Sequence, residues 1–323
     1  MLEFEKKLID MPKIISLSRK GFDSEYGGVA SPIIDNKLYS MPIPSDETKI
    51  FNPKYSPKYK ELKFGNLSGS EIFEKLQKTP LHPGKGNKER NEITPETRCH
   101  NDPDLNNGIY GAAGNASLQL KNFNEGDLLL FFGWFFDKDG EKRDIQHLFG
   151  WLQADYIIRG KEKIQSFCDK NNIVHPHVDE VFLNDKTNAL YVSKGELSDG
   201  ESLGYGKFEN FHPELCLTHP LAKKRSTWQL NKNYFSEIES AKDGAEIFKT
   251  YIKEKSFTYT PNKPGKRSKT NDLLIRDDKL AFRSPDKGQE IFMDGSNKKV
   301  DQWARYLIKT HGTRIIRRDN YTF

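Results

Sequence analysis

Two short segments, HNDPDL at residues 100–105 and HPH at 175–177, hold the side-chain types that move protons or bind metal ions. In the first, His100 stands beside Asp102 and Asp104, and a carboxylate that orients an imidazole is a common arrangement for general acid–base catalysis. In the second, His175 and His177 flank Pro176. Residues two apart in an extended segment point the same way, so HPH can present two imidazoles on one side. Joined to His100, Asp102 and Asp104, they could form a histidine–carboxylate metal site of the kind that suits Zn, Fe or Mn. Neither spacing is diagnostic of a metal. HNDPDL also reads as a helix start, with Asn101 or Asp102 as N-cap, Pro103 in the first position and Asp104 favouring the helix dipole.

A different set lies in SLSRKGFDSEYGG, residues 16–28. Ser18, Arg19, Lys20 and Asp23 follow an expected first strand, where α/β proteins place ligand loops. Arg19 could grip a phosphate as a fork and Lys20 as a point charge, while Gly27 and Gly28 would let the backbone approach it. Further along, Phe132-Gly133-Trp134 and Phe149-Gly150-Trp151 repeat a tripeptide on two expected strands. A glycine inside a strand marks a bulge or a close backbone approach. Trp134 and Trp151 could therefore build an aromatic-walled slot, although filling the core is the stronger reading for each indole alone. His147 and Gln153 share the second of these strands and join the ligand-binding candidates. The chain carries no P-loop, GxGxxG, GxSxG or HExxH pattern, so readings built on those motifs have no support.

These groups need a scaffold. The pattern predicts a strand over 13–18, a hairpin turning at Asp35-Asn36, and a helix over 68–77 capped by Ser70. It predicts a mobile loop over 80–95, a helix in GAAGNASLQLKNF, a buried strand over 128–136, and a return strand over 147–158. Helices are expected over 241–255 and in VDQWARYLIKTH, the latter stopped by Gly312, with a polar, basic run at 260–272 between them. The expectation is an α+β fold: a β-rich core, as a mixed sheet or a barrel, with peripheral helices and long polar loops. A core domain at 1–235 would carry a helical, basic extension at 236–323 packed on it.

At 323 residues and a net charge of +5, the chain is large enough for a sizeable core and is not marked as a nucleic-acid binder by charge alone. Basic clusters at Lys223, Lys224 and Arg225, at Lys263, Lys266, Arg267 and Lys269, and at Arg314, Arg317 and Arg318 are either solvated loops or a phosphate-attracting surface. No apolar run approaches a membrane span, and the charged N-terminal stretch lacks the pattern of a secretory signal. Three scattered cysteines, Cys99, Cys168 and Cys216, fit a reducing cytoplasm and exclude zinc held by cysteine pairs.

SRKGFDS (18–24), GGVASPI (27–33), HNDPDL (100–105), GDLLLFFGWF (126–135), HLFGWLQ (147–153), HPH (175–177) and GYGKF (204–208) together resemble the nucleotide-modification-associated domain family, third type. The matches keep one order from about residue 13 to residue 230. The resemblance implies a setting of phages and mobile elements, near genes for modified DNA bases or nucleotides, and a nucleotide, nucleobase or DNA as partner. The GD-strand-turn-GWLQ portion is also similar to PUA-like barrels of the EVE and ASCH groups, which hold a base in a pocket. The expectation is an enzyme acting on a nucleobase, nucleotide or DNA base, by group transfer or glycosidic chemistry. The alternative is a non-catalytic reader of a modified base or small nucleotide. The sequence specifies no cofactor.

Overall fold

Alternation of side chains along six-to-ten-residue apolar strands builds the centre of the molecule. The computed structural model describes residues 12–83, 90–138, 140, 143–194, 202–220, 222, 224–231, 234, 274–276, 279–283, 290–315 and 321–323. The expected helix at 241–255, the run at 260–272, and Lys223, Arg317 and Arg318 lie outside the described residues.

The main strands are β1 (Ile14–Arg19), β2 (Ser31–Ile34), β3 (Lys37–Leu38), β4 (Cys99–His100), β5 (Ile109–Ala112), β6 (Leu128–Asp137), β7 (Asp144–Gln153), β8 (Tyr156–Arg159), β9 (Ala189–Val192), β10 (Tyr205–Lys207), β11 (Glu290–Asp294) and β12 (Thr313–Arg314). Helices α1 (Lys161–Lys170), α2 (Glu180–Leu183) and α3 (Lys298–His311) complete the frame. The largest sheet runs β11-β1-β6-β7-β10-β12, with β2 also on β6 and β3 outside β2. It is mixed, because β1 and β2 both lie parallel to β6 while the other pairs are antiparallel. The fold is α+β, with this sheet curled into a half-barrel and several helices around it.

The two parallel partners share one edge of β6. Arg19 sits opposite Phe132 and Ser31 opposite Phe135, so the chain leaves the sheet at Lys20 and rejoins it eleven residues on. Gly133 faces this gap, where an added Cβ would meet the Lys20 carbonyl at 3.1 Å. Gly150 admits Leu105, whose Cδ1 would lie 2.4 Å from such a Cβ. Both strand glycines thus mark close approaches, made by other parts of the same chain.

Each sheet face has its own cover. Ile15, Leu17, Leu128, Leu130 and Trp151 pack with Trp303 and Leu307 of α3. Leu129, Phe131 and Leu152 pack instead on Tyr110, Ala189 and Tyr191 of a smaller sheet, β5-β9-β8. That sheet's far face carries Ile109, Leu190 and Val192 against Ile164 and Phe167 of α1. Phe22 and Val29 of the excursion form a further core with Met41, Tyr59 and Ile72.

Several boundaries differ from the sequence pattern. The strand expected over 147–158 is two strands in different sheets, because the chain turns at Ala154–Asp155, where Ala154 N donates to Asp127 O and Asp155 N to Val192 O. The early helix is Gly69–Glu74, and Ser68 rather than Ser70 caps it, in a capping box with Glu71. β11 and α3, both beyond residue 235, are an edge of the main sheet and the cover of one of its faces. Among the described residues no helix is long and apolar enough to cross a membrane.

Candidate functional site

β4 delivers His100 by pairing with Ile43–Pro44, where Ile43 stands opposite His100. No helix starts after it. Residues 104–107 instead form a tight turn in which Asp104 accepts from the amides of Asn106 and Asn107 (3.1 and 3.2 Å) and from Asn107 Nδ2 (2.6 Å). The helix-cap reading of HNDPDL therefore fails: Asp104 is held in its own turn, and Asp102 is left to face inward. HPH is not extended either. Pro176–Val178 is a 3-10 turn, and His175 caps it by accepting the His177 amide on Nδ1 at 3.2 Å. The tight turn still brings both rings to the same carboxylate.

That carboxylate is Asp102, whose side chain is only 4% exposed. Its Oδ1 accepts from the Gly111 amide (2.9 Å) and from His175 Nε2 (3.2 Å). Its Oδ2 faces His100 Nε2 at 3.8 Å and His177 Nε2 at 4.0 Å, both beyond hydrogen-bond length. His177 Nδ1 donates to Asn188 Oδ1 at 2.7 Å, and Asn188 Nδ2 returns a bond to the His177 carbonyl at 3.0 Å. The second bond fixes which end of the amide is oxygen, and so which ring nitrogen carries the proton. Phe182 of α2 stacks on His177 at 4.4 Å and lies 5.2 Å from His100.

The environment sets the charges. Burial lowers His100 to about 4 and His177 to about 3 against the opposing pull of Asp102, so both are neutral at pH 7. Burial works to raise Asp102, but the His175 hydrogen bond and the surrounding imidazoles outweigh it and hold its carboxyl below the ordinary range. Lys20 is near enough to be felt at His100, and its ammonium is paired with the buried Glu290 at 3.1 Å and with Tyr110 Oη at 2.8 Å.

Asp102 also belongs to the wall of a cleft of about 630 Å³. Tyr39 and Phe64, with ring centroids 6.4 Å apart, meet edge-on in that wall. Phe149 and the lysines Lys37, Lys63 and Lys207 line it as well. Lys207 donates to Asn106 Oδ1 at 2.7 Å, and burial lowers its pKa. The volume is in the range of small-ligand sites.

The family model for nucleotide modification associated domain 3 matches residues 13–290. The chain belongs to that family. No curated protein and no solved structure gives a significant match.

In this nucleotide modification associated domain the structure brings together His100, Asp102, His175 and His177, with Lys20 close by. It does not bring the other candidates to them. Arg19 and Lys20 point to opposite faces of the sheet: Ser18 Oγ joins Lys20 on Glu290, whereas Arg19 lies toward Arg225, which stands 4.0 Å over the Trp134 ring. Trp134 Nε1 donates to Asp144 at 3.0 Å. Trp151 is fully buried and donates to the Leu203 carbonyl, so the two indoles do not face one slot. His147 is likewise buried, bonded to the Leu148 carbonyl and the His212 backbone. Gln153 ties Gly126 to Leu203. Asp23 holds the amides of Glu25 and Tyr26, and Gly27 and Gly28 take positive φ where the chain wraps Phe22. Asn188, Gly111 and Phe182 stand in no reactive motif of the sequence. The one usable signal was a buried-strand context: a polar Asn just before ALYV, and a Gly in IYGA.

Proposed function

We propose that this domain is an enzyme that modifies a nucleobase, nucleotide or DNA base, with the base in the cleft and the His100–Asp102–His175–His177 cluster as the reactive centre. One observation carries the reading: Asp102 is at once part of the cleft wall and the carboxylate that three imidazoles face, one of them bonded to it. A solvated surface carboxylate would not need two donors on one oxygen and two neutral imidazoles on the other. The family's association with nucleotide modification supports a nucleotide or its base as the substrate class.

In this reading Tyr39 and Phe64 give the base an aromatic face, and Lys37, Lys63 or Lys207 meets its phosphate. Bare imidazole nitrogens beside a carboxylate accept a proton from water or from a substrate hydroxyl or amine. The candidate reactions are group transfer to the base and cleavage of its glycosidic bond.

The test is to offer the purified chain a panel of nucleosides, nucleotides and oligonucleotides, with binding by calorimetry and product by mass spectrometry. His100→Ala is expected to bind as the parent does and to lose turnover, while Tyr39→Ala loses binding. Binding without any product, unchanged in His100→Ala, would make the domain a reader of its ligand and overturn the enzymatic reading.

A further inference from the structure

Asp102 Oδ2 faces two imidazole nitrogens, and hydrogen bonding elsewhere on the ring leaves one of them a lone pair. His177 carries its proton on Nδ1, since that atom donates to Asn188 Oδ1 and the Asn188 amide is oriented by its own bond to the His177 carbonyl. His177 Nε2 is then an unprotonated nitrogen facing a carboxylate oxygen at 4.0 Å. His100 Nε2 faces the same oxygen at 3.8 Å. A lone pair and a carboxylate oxygen that face each other at 4.0 Å in a buried site favour a positive charge between them.

We propose that His100 Nε2, Asp102 Oδ2 and His177 Nε2 bind one divalent first-row transition-metal ion, with further coordination positions left for water or substrate. The proposal rests on the reading of this cluster as the reactive centre and gives that centre its electrophile. The three donor atoms lie within 4.8 Å of one another. Ligands 2.0–2.1 Å from a shared ion are roughly 3.0–3.4 Å apart, so closing the observed 3.8 and 4.0 Å gaps needs an inward movement of less than about 1 Å. Two imidazoles and one carboxylate are the donor set of zinc hydrolases and of non-haem iron sites, and they disfavour calcium and magnesium, which take oxygen ligands.

The surroundings look like a supporting shell. His175 and the Gly111 amide occupy Oδ1 and leave Oδ2 for the ion. Asn188 orients His177 in the way that second partners orient metal-bound imidazoles. Phe182 and Gly111 clamp the His177 ring between a stacked phenyl and bare backbone. The carboxylate supplies the negative charge, and the nearby Lys20 is offset by Glu290. Asp104 is not a ligand, because its oxygens are engaged by its own turn. A second trio, His212, Glu214 and His311, also meets the distance requirement. There, however, Glu214 Oε2 already accepts from His311 Nε2 (2.8 Å) and Tyr306 Oη (3.0 Å), and His212 Nδ1 accepts the Glu214 amide.

The experiment strips the full chain with a chelator and titrates it separately with Zn(II), Mn(II), Co(II) and, without oxygen, Fe(II). Binding is followed by calorimetry, by elemental analysis after desalting, and by the visible spectrum of the Co(II) form. One tightly held ion per chain is expected. Asp102→Asn and His177→Ala should abolish it, His175→Gln should weaken it roughly 10- to 100-fold, and His311→Ala should leave it unchanged. Asp102→Asn and His175→Gln keep near-native shape, and circular dichroism checks that each variant is folded. Absence of stoichiometric binding in the folded parent, or loss of it in His311→Ala but not in Asp102→Asn, overturns the proposal. Failure here with nucleotide turnover intact leaves the enzyme reading standing on proton transfer alone. A bound ion without nucleotide recognition keeps the metal site and removes that reading.

Discussion

Asn188 and His177 are locked by a reciprocal pair of hydrogen bonds, imidazole to amide oxygen at 2.7 Å and amide nitrogen to backbone carbonyl at 3.0 Å. The pair decides which nitrogen of His177 is free. Asn188→Leu keeps the volume but leaves His177 Nδ1–H and its carbonyl without partners in a buried place. The expected cost is about 1–3 kcal/mol for each unpaired group. Asn188→Asp still accepts from Nδ1 and should preserve the tautomer. Nitrogen-15 NMR of labelled histidines distinguishes the two. If the leucine variant showed the parent's His177 pattern, the lock would have no role.

Gly111 offers a second handle on the same ring. Its amide serves Asp102, and a Cβ on it would fall 2.3 Å from His177 Cδ2 and 2.7 Å from Nε2. Gly111→Ala is thus expected to push the ring off its position while the strand survives. The overpacking should lower stability by about 1–3 kcal/mol. Turnover, or Co(II) affinity, should fall far more than that loss of stability would explain. Urea unfolding alongside either functional assay measures both. Unchanged function at reduced stability would show that the ring tolerates displacement.

Much of the frame could be seen in the sequence, because alternation and turn chemistry are local. The hairpin turning at Asp35-Asn36 forms with both residues at positive φ, and the buried strand expected over 128–136 is present over 128–137. The histidine cluster was visible only in part. HNDPDL and HPH are adjacent in space because β4 and the 3-10 turn at Pro176 converge on β5, a long-range fact with no local trace. The tryptophans misled for the opposite reason. Their type suggests a base platform, yet burial of the Trp151 indole in the core, with its one N–H satisfied by Leu203, is a complete role for it. Arg19 and Lys20 are neighbours in sequence and sit on opposite sheet faces, because strand alternation separates adjacent side chains.

This difference between core and cleft can be measured. Trp151→Ala removes a fully buried indole and should cost about 3–5 kcal/mol of stability. Tyr39→Ala touches the cleft wall and should leave the unfolding midpoint nearly unchanged. Its effect should appear in nucleotide affinity, by the roughly 1–3 kcal/mol that stacking one base contributes. The reverse outcome, with Trp151→Ala stable and impaired in binding, would return the slot to the indoles.

Glu290 gathers Ser16 and Ser18 hydroxyls at 2.8 Å and the Lys20 ammonium at 3.1 Å, with its own side chain fully buried. Glu290→Gln would leave Lys20 without its counter-ion beside the histidine cluster. Removing one member of a buried ion pair costs about 3–5 kcal/mol, so this edge of the sheet should melt early. Amide hydrogen exchange in β1 and β11 would detect it. A midpoint within experimental error of the parent would mean that Lys20 finds water when its partner is lost.

His147 makes a prediction about acid. Burial holds it neutral, lowering it to about 4 against the opposing pull of the Leu148 and His212 backbone, whereas an unfolded histidine titrates near 6.5. Between those two values the unfolded chain binds a proton that the folded chain does not. Stability contributed by this residue is therefore fully present above about pH 6.5 and is lost as pH falls toward 4. The loss is at most roughly 3 kcal/mol. His100 and His177 are lowered in the same sense and add to the slope. Urea midpoints taken from pH 8 to pH 4.5 should thus decline for the parent, and decline less steeply for His147→Gln, which has no proton to take up. Parallel curves for the two proteins would mean that His147 carries its proton in the folded state.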